Sequence, residues 1–282
     1  MKLTTADGRK LGYRQMGSGP VVVCHPGGPG FSSLYFADLA GLWERFTLVM
    51  LNPRGTADSD RPADRRAYTI DDYVDDIEAL REHLGLERLM LLGHSHGGMV
   101  AQAYAAKHAE RVSKLVLAST LARFAPEQEA AMREGMEKRS NEPWYAEAVA
   151  ALEAEQAAEF KSDAEMADLV FKELPLYFAR FGPMEAGYLD TLRTEALNSD
   201  TLLLFNREIF NTFDMRPLLP RVTAPTLVIT GTDDFICGPL NADELAAGIK
   251  GATKVIVGDA GHMLFVEQPE EFHREVGDFL ES

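Results

Sequence analysis

Apolar and polar residues alternate from Lys2 to Thr5 and again from Lys10 to Gln15, with Ala6-Asp7-Gly8 between the two stretches. Period-two alternation around a glycine-containing turn predicts an N-terminal hairpin, closed off by Gly17-Ser18-Gly19-Pro20. The pattern then changes. Val21 to His25, Phe46 to Asn52, Leu89 to Gly93, Lys114 to Thr120, Pro225 to Thr230 and Lys254 to Val257 are short apolar runs rich in Val, Leu and Ile. Such runs suit strands covered on both faces of a parallel sheet. Helical periodicity separates most of them. From Thr69 to Leu86, the residues Tyr73, Ile77, Leu80 and Leu84 share one face behind a capping threonine and two aspartates. Met99 to His108 and Glu271 to Leu280 read the same way. Strands alternating with helices predict βαβ units, hence an α/β protein with a mostly parallel sheet flanked by helices.

The interval from Thr120 to Arg221 breaks that alternation, because Ala, Glu, Met and Leu dominate it and no strand pattern occurs. Pro126, Pro143, Pro175, Pro183 and Pro217 punctuate it, which predicts several short helices. The expected division is a core of residues 1–120 and 221–282 with an inserted helical cap at 121–220. Within the cap, Ala146 to Glu159 reads as a solvated helix.

Composition narrows the partners. The chain has 282 residues, 46% of them apolar, enough for a sizeable core. No segment approaches the roughly 20 apolar residues of a membrane-spanning helix, and the start MKLTTADGRK has no apolar stretch, so a cytoplasmic protein is expected. A net charge of -16 repels nucleic acid and anionic membranes and leaves a small molecule or short peptide as the expected substrate. Cys24 and Cys237 lack C-x-x-C spacing, which suggests neither a zinc site nor a disulfide. No motif implies a cofactor.

Against that background one constellation carries chemistry. Gly93-His94-Ser95-His96-Gly97 fits G-x-S-x-G between a predicted strand and a predicted helix beginning near Gly98. A turn that sharp forces the serine into strained backbone geometry and brings its flanking glycines together, so neither can carry a Cβ. Serine is a weak nucleophile and needs a base to take its proton. Where a serine elbow tops a parallel sheet, the acid and then the histidine follow later strands. Asp234, with Asp233 as its neighbouring alternative, and His262 occupy those places. The oxyanion donors expected are the backbone N–H of His96 and that of Gly28, or of Gly27 beside it, in the loop His25-Pro26-Gly27-Gly28-Pro29-Gly30.

Taken together these motifs resemble the α/β-hydrolase superfamily over essentially the whole chain. The HPGGPG segment is similar to the HGGPG signature of the proline iminopeptidase family, whose members release N-terminal proline from peptides, and Asn52 to Ser59 resembles the D-x-R-G-x-G-x-S segment of the wider group. The elbow GHSHG differs from that family's GGSWG, Ala57 replaces a glycine, and Pro26 precedes the glycine pair. The resemblance implies a serine hydrolase acting on a small amide or ester, most nearly an aminopeptidase, with an esterase or lactonase as the alternative. A carbon-carbon bond hydrolase or a non-catalytic receptor on the same fold ranks lower. Dehalogenases and epoxide hydrolases carry aspartate where Ser95 stands. Family members hold the substrate amine with cap glutamates, one of them just before a Tyr-Phe pair. Here Tyr177-Phe178 follows Leu176, Glu173 is out of register, and no amine site is assigned.

Other residues have plainer readings. The His94/His96 pair lacks a further His or Asp ligand at short spacing and is read as packing and pocket lining, not as a metal site. His25 is expected to bond its own loop, and Arg54 to form a structural ion pair. Phe31, Tyr35 and the cap aromatics Trp144, Tyr145, Tyr177, Phe178, Phe181, Phe205, Phe210 and Phe213 are candidates for pocket walls and cap core.

Overall fold

The structure is a computed structural model that describes residues 1–194 and 196–282. Eight strands form one sheet in the order β1-β2-β4-β3-β5-β6-β7-β8, where β1 is Lys2–Thr4, β2 Lys10–Met16, β3 Val21–His25, β4 Thr47–Leu51, β5 Leu89–His94, β6 Val112–Ala118, β7 Thr226–Gly231 and β8 Thr253–Val257. The N-terminal hairpin joins β1 to β2, β2 pairs antiparallel with β4, and every later pairing is parallel.

Alternation inside the apolar runs divides the core in two. Val22, Cys24, Leu48, Met50, Val116, Ala118, Leu227 and Ile229 belong to one apolar cluster, while their neighbours Val23, Val49, Leu51, Leu115, Leu117 and Val228 belong to the other. Successive strand side chains point to opposite faces, so the two clusters are the two sides of the sheet. One side is covered by α1 (Ile70–His83), α2 (His96–Lys107) and α8 (Pro239–Gly248), which contribute Ile77, Tyr104 and Leu245. The other is covered by α9 (Leu264–Glu267) and α10 (Pro269–Glu281), where Phe272, Val276 and Leu280 repeat every four residues. Thr69 caps α1 in a reciprocal box with Asp72, which satisfies two backbone donors at the helix start.

Between β6 and β7 the chain forms α3 (Pro126–Glu137), α4 (Tyr145–Gln156), α5 (Asp163–Glu173), α6 (Pro183–Leu192) and α7 (Ser199–Leu204). Pro126 and Pro183 stand at first helical positions, where a missing N–H costs nothing. Several boundaries differ from the sequence expectation by one to three residues, and two of the differences have a visible cause. Strand β6 starts at Val112, because Val112 pairs with Leu89, and ends before Ser119, whose φ of 42° leaves the extended region. Helix α2 starts at His96 instead of near Gly98, because Ser95 serves as its N-cap residue. The expectation for Ala146 to Glu159 is also corrected. Ala148, Ala151, Leu152 and Glu155 of α4 are buried at i, i+3, i+4 and i+7, a stripe whose small residues disguise its apolar character. It packs against α5. No helix among the described residues is long and apolar enough to cross a membrane.

Candidate active site

The elbow is built as its glycines require. Ser95 has φ 55° and ψ -123°, a conformation that an L-residue holds only when its surroundings enforce it. The enforcement is visible on both sides: a Cβ on Gly93 would lie 2.3 Å from the Gly97 carbonyl oxygen, and one on Gly97 would lie 2.1 Å from that of His25. Ser95 is thereby raised over the end of β5, at the start of α2, where the first N–H groups have no partner within the helix.

The later strands bring the acid and the histidine to the same end of the sheet. Asp234 follows β7 and His262 follows β8, and His262 Nδ1 donates to Asp234 Oδ2 over 2.9 Å with both side chains buried. The second Asp234 oxygen accepts from the backbone N–H groups of Cys237 at 2.9 Å and Ile236 at 3.1 Å. Burial pulls this carboxyl up, but the His262 ring and the Cys237 N–H outweigh it and hold it below the usual aspartate value. Asp233 points elsewhere, to Lys138 Nζ at 3.2 Å and Thr232 Oγ1 at 2.9 Å. Ser95 and His262 line one cavity. Among the described residues the Ser95 hydroxyl takes no protein hydrogen bond.

Gly28 and His96 line the same cavity as Ser95. Gly28 has φ +107°, which glycine alone adopts readily. Gly27 is close as well: a Cβ there would come within 3.0 Å of the Ser95 Cβ. His25 Nδ1 donates to the Pro26 carbonyl at 3.1 Å, holding its own loop as expected. Arg54 sits in a buried pair with Asp76 at 2.7 Å, away from the cavity. The His94/His96 pair splits. His94 turns toward His262, with ring centroids 4.8 Å apart, while His96 packs edge-on to Tyr73 and Phe205. Burial pushes both rings down to about 3, so both are neutral at physiological pH.

The cavity encloses about 910 Å³, counting space continuous with solvent. Of the aromatic candidates, Phe31, Tyr35, Tyr177, Phe205 and Phe210 reach it, joined by Met99, Leu121, Leu152, Met166, Val170 and Leu202. Two acidic groups interrupt this apolar wall. Glu155 of α4 and Glu173 of α5 both line the cavity and are 6% and 4% exposed. Asn206 Nδ2 donates to Glu155 Oε1 at 3.1 Å, the Tyr177 hydroxyl donates to Glu173 Oε1 at 3.4 Å, and Glu173 Oε2 is buried without a partner. Burial pushes both carboxyls up, and for Glu173 the nearby Glu155 adds to it. The Tyr177 ring stands edge-on to His262 at 5.3 Å, so one tyrosine separates the acid pair from the histidine. Sequence reading named Glu173 without assigning it to a site and passed over Glu155. Glu155 carried a signal in the i, i+3, i+4, i+7 stripe that it completes, and Glu173 in its place seven residues after the buried Met166.

The chain matches the family model described as alpha/beta hydrolase fold over residues 20–269. It is 30% identical to the proline iminopeptidase PfmaB of Pestalotiopsis fici, over 98% of each chain. It is 28% identical to the proline iminopeptidase of Lactobacillus helveticus, over 93% of this chain and 90% of that one. Among solved structures, the enol-lactonase from Burkholderia xenovorans LB400 is 28% identical and superposes with a TM-score of 0.76 over the full length of both.

Proposed function

The chain belongs to the α/β-hydrolase family, and we propose that within it the protein is a serine hydrolase that cleaves the amide after an N-terminal residue by way of an acyl-enzyme. Ser95 Oγ attacks the scissile carbonyl as His262 Nε2 takes its proton. Asp234 holds the His262 Nδ1–H and stabilises the imidazolium as it forms. The N–H groups of Gly28 and His96 receive the developing oxyanion. His262 then returns the proton to the leaving amine, and water, deprotonated by the same ring, releases the acyl group from Ser95.

One observation carries the choice of an aminopeptidase: Glu155 and Glu173 lie buried in the wall of the cavity that Ser95 enters, with a Glu173 oxygen unpartnered. Two carboxyls desolvated side by side disfavour their own ionisation, and a substrate ammonium placed between them supplies the missing charge. The names of the two relatives agree with that chemistry. We place residues 121–220, which include both glutamates, as the cap over the core. The second reading is an ester or lactone hydrolase, favoured by the likeness to the enol-lactonase and by the otherwise apolar wall.

Hydrolysis of proline-, alanine- and leucine-p-nitroanilide beside p-nitrophenyl acetate and butyrate separates the two, with Ser95→Ala as the blank. The expected result is preference for the proline amide. Glu155→Gln and Glu173→Gln should lower kcat/KM on that amide by roughly thirtyfold or more, the loss of a buried charge pair worth about 2 kcal/mol, while sparing the esters. Ester cleavage without amide turnover, indifferent to both substitutions, overturns the aminopeptidase reading.

A further inference from the structure

We infer that His94 is a positioning residue for His262, and that the chain Tyr35–His94–His262 sets the aim of the general base. The inference rests on the reading of Ser95 and His262 as nucleophile and base. His94 Nε2 lies 2.8 Å from the backbone carbonyl oxygen of His262, and its Nδ1 lies 3.0 Å from the Tyr35 hydroxyl. A carbonyl only accepts, so Nε2 carries the hydrogen and Nδ1 is bare; the Tyr35 hydroxyl must then be the donor. Both contacts are buried, which fixes one tautomer and one ring orientation.

The His262 peptide is thereby held at both ends. Its N–H donates to the Tyr177 carbonyl at 2.7 Å, its C=O accepts from His94, and its ring is tied to Asp234 at 2.9 Å. Of these three anchors, only His94 comes from the strand that delivers the nucleophile, since it is the residue before Ser95. A shift of β5 relative to the histidine loop must stretch that bond. Tyr35 extends the chain to the third element, because a Cβ built on Gly27 would meet its hydroxyl at 2.7 Å. Nucleophile strand and base are therefore tied through one imidazole, with the oxyanion loop packed against its tyrosine. Phe265 closes the far side, edge-on to His94 at 5.2 Å, and keeps water from competing for either nitrogen.

The test uses a fluorophosphonate probe, which reports Ser95 activation without assuming a substrate. A glutamine amide nitrogen can reach the place of Nε2, and an asparagine oxygen the place of Nδ1. His94→Gln keeps the donor to His262, His94→Asn keeps only the acceptor for Tyr35, and His94→Leu keeps neither. The expected inactivation rates are within roughly fivefold of the parent for Gln and lower by roughly a hundredfold for Asn and Leu, the penalty of a base misplaced by about 1 Å. Probe affinity should be unchanged, and the pH profile of labelling should keep its shape in the Gln variant alone. Equal rates for Gln and Asn, a Leu variant within threefold of the parent, or a loss confined to affinity overturns the inference. If the His94 variants do not fold, Tyr35→Phe, which deletes one hydroxyl, should still slow labelling by roughly fivefold, and an unchanged rate overturns it. Failure of the parent to label, or labelling of Ser95→Ala, would instead remove the assignment of the nucleophile on which the inference rests.

Discussion

Replacing each of two adjacent aspartates with asparagine should separate their roles by a factor set by hydrogen-bond geometry. Asp234 accepts three firm bonds. Ile236 and Cys237 N–H groups approach Oδ1 and His262 Nδ1 approaches Oδ2, while Thr230 Oγ1, 3.2 Å from Oδ2, has the Cys237 carbonyl nearer at 2.9 Å for its one hydrogen. In Asp234→Asn the single carbonyl oxygen must stay with the two backbone donors, so the NH2 faces His262. An NH2 only donates, which forces His262 to bare Nδ1 and protonate Nε2, the nitrogen that accepts the Ser95 proton in the proposed mechanism. The side chain keeps its shape and the proposed base is lost. The expected loss in kcat is on the order of ten-thousandfold, equivalent to about 5 kcal/mol. Asp233 is bound instead to Lys138 on a half-exposed edge, and such a pair contributes about 1 kcal/mol or less, so Asp233→Asn should cost under roughly fivefold. Fluorophosphonate labelling and hydrolysis of the preferred substrate, with urea midpoints to show both variants folded, measure the ratio. A loss below roughly a hundredfold for Asp234→Asn, or a larger loss for Asp233→Asn, refutes the reasoning.

Three other perturbations follow from the same geometry. Burial raises Glu267 from 4.5 to about 7 although it accepts from the N–H groups of Ala179 and Gly261. A folded value above the unfolded one means that its stabilisation is complete below 4.5 and lost as pH rises through about 7. At roughly 1.4 kcal/mol per pH unit the loss approaches about 3 kcal/mol, and urea midpoints for Glu267→Gln should decline less between pH 5 and 8 than the parent's; parallel slopes contradict this. Gly97→Ala drives a methyl into the carbonyls of His25 and Pro26, so it should lower stability by about 2 kcal/mol or more and slow Ser95 labelling; parent-like thermal unfolding argues against the clash. Arg54→Met leaves Asp76, which is 1% exposed, with only Arg9 at 3.5 Å as a cationic partner, and should cost about 3 kcal/mol. Adding Asp76→Leu should restore part of that stability, and a double variant no better than the single one rules out the buried charge as the cause.

Legibility in the sequence followed how local each signal was. The strands were readable because a parallel strand buried on both faces must be apolar throughout, as Leu115 to Ala118 and Leu227 to Ile229 are. The elbow was readable because its constraint lies within five residues: Gly93 and Gly97 face each other across Ser95. Helix starts were blurred where a glycine pair at Gly97-Gly98 looks like a breaker, yet Gly98 is required because a Cβ there would meet the Thr120 side chain at about 2.5 Å. Asp233 and Asp234 are indistinguishable by spacing, and only the turn after β7 sends one inward and the other to Lys138. The acid pair lay furthest from reach. Glutamate on a helix is ordinarily solvated, and Glu155 and Glu173 meet only because α4 packs on α5 over the cavity. Their burial runs against every local preference of the residue, and in the proposed function that departure lies where a ligand can compensate it. On the proposed reading, the local consistency of the core and the local contradiction at Glu155 and Glu173 have one explanation: the sheet and elbow supply chemistry common to the fold, and the helices between β6 and β7 choose what it acts upon.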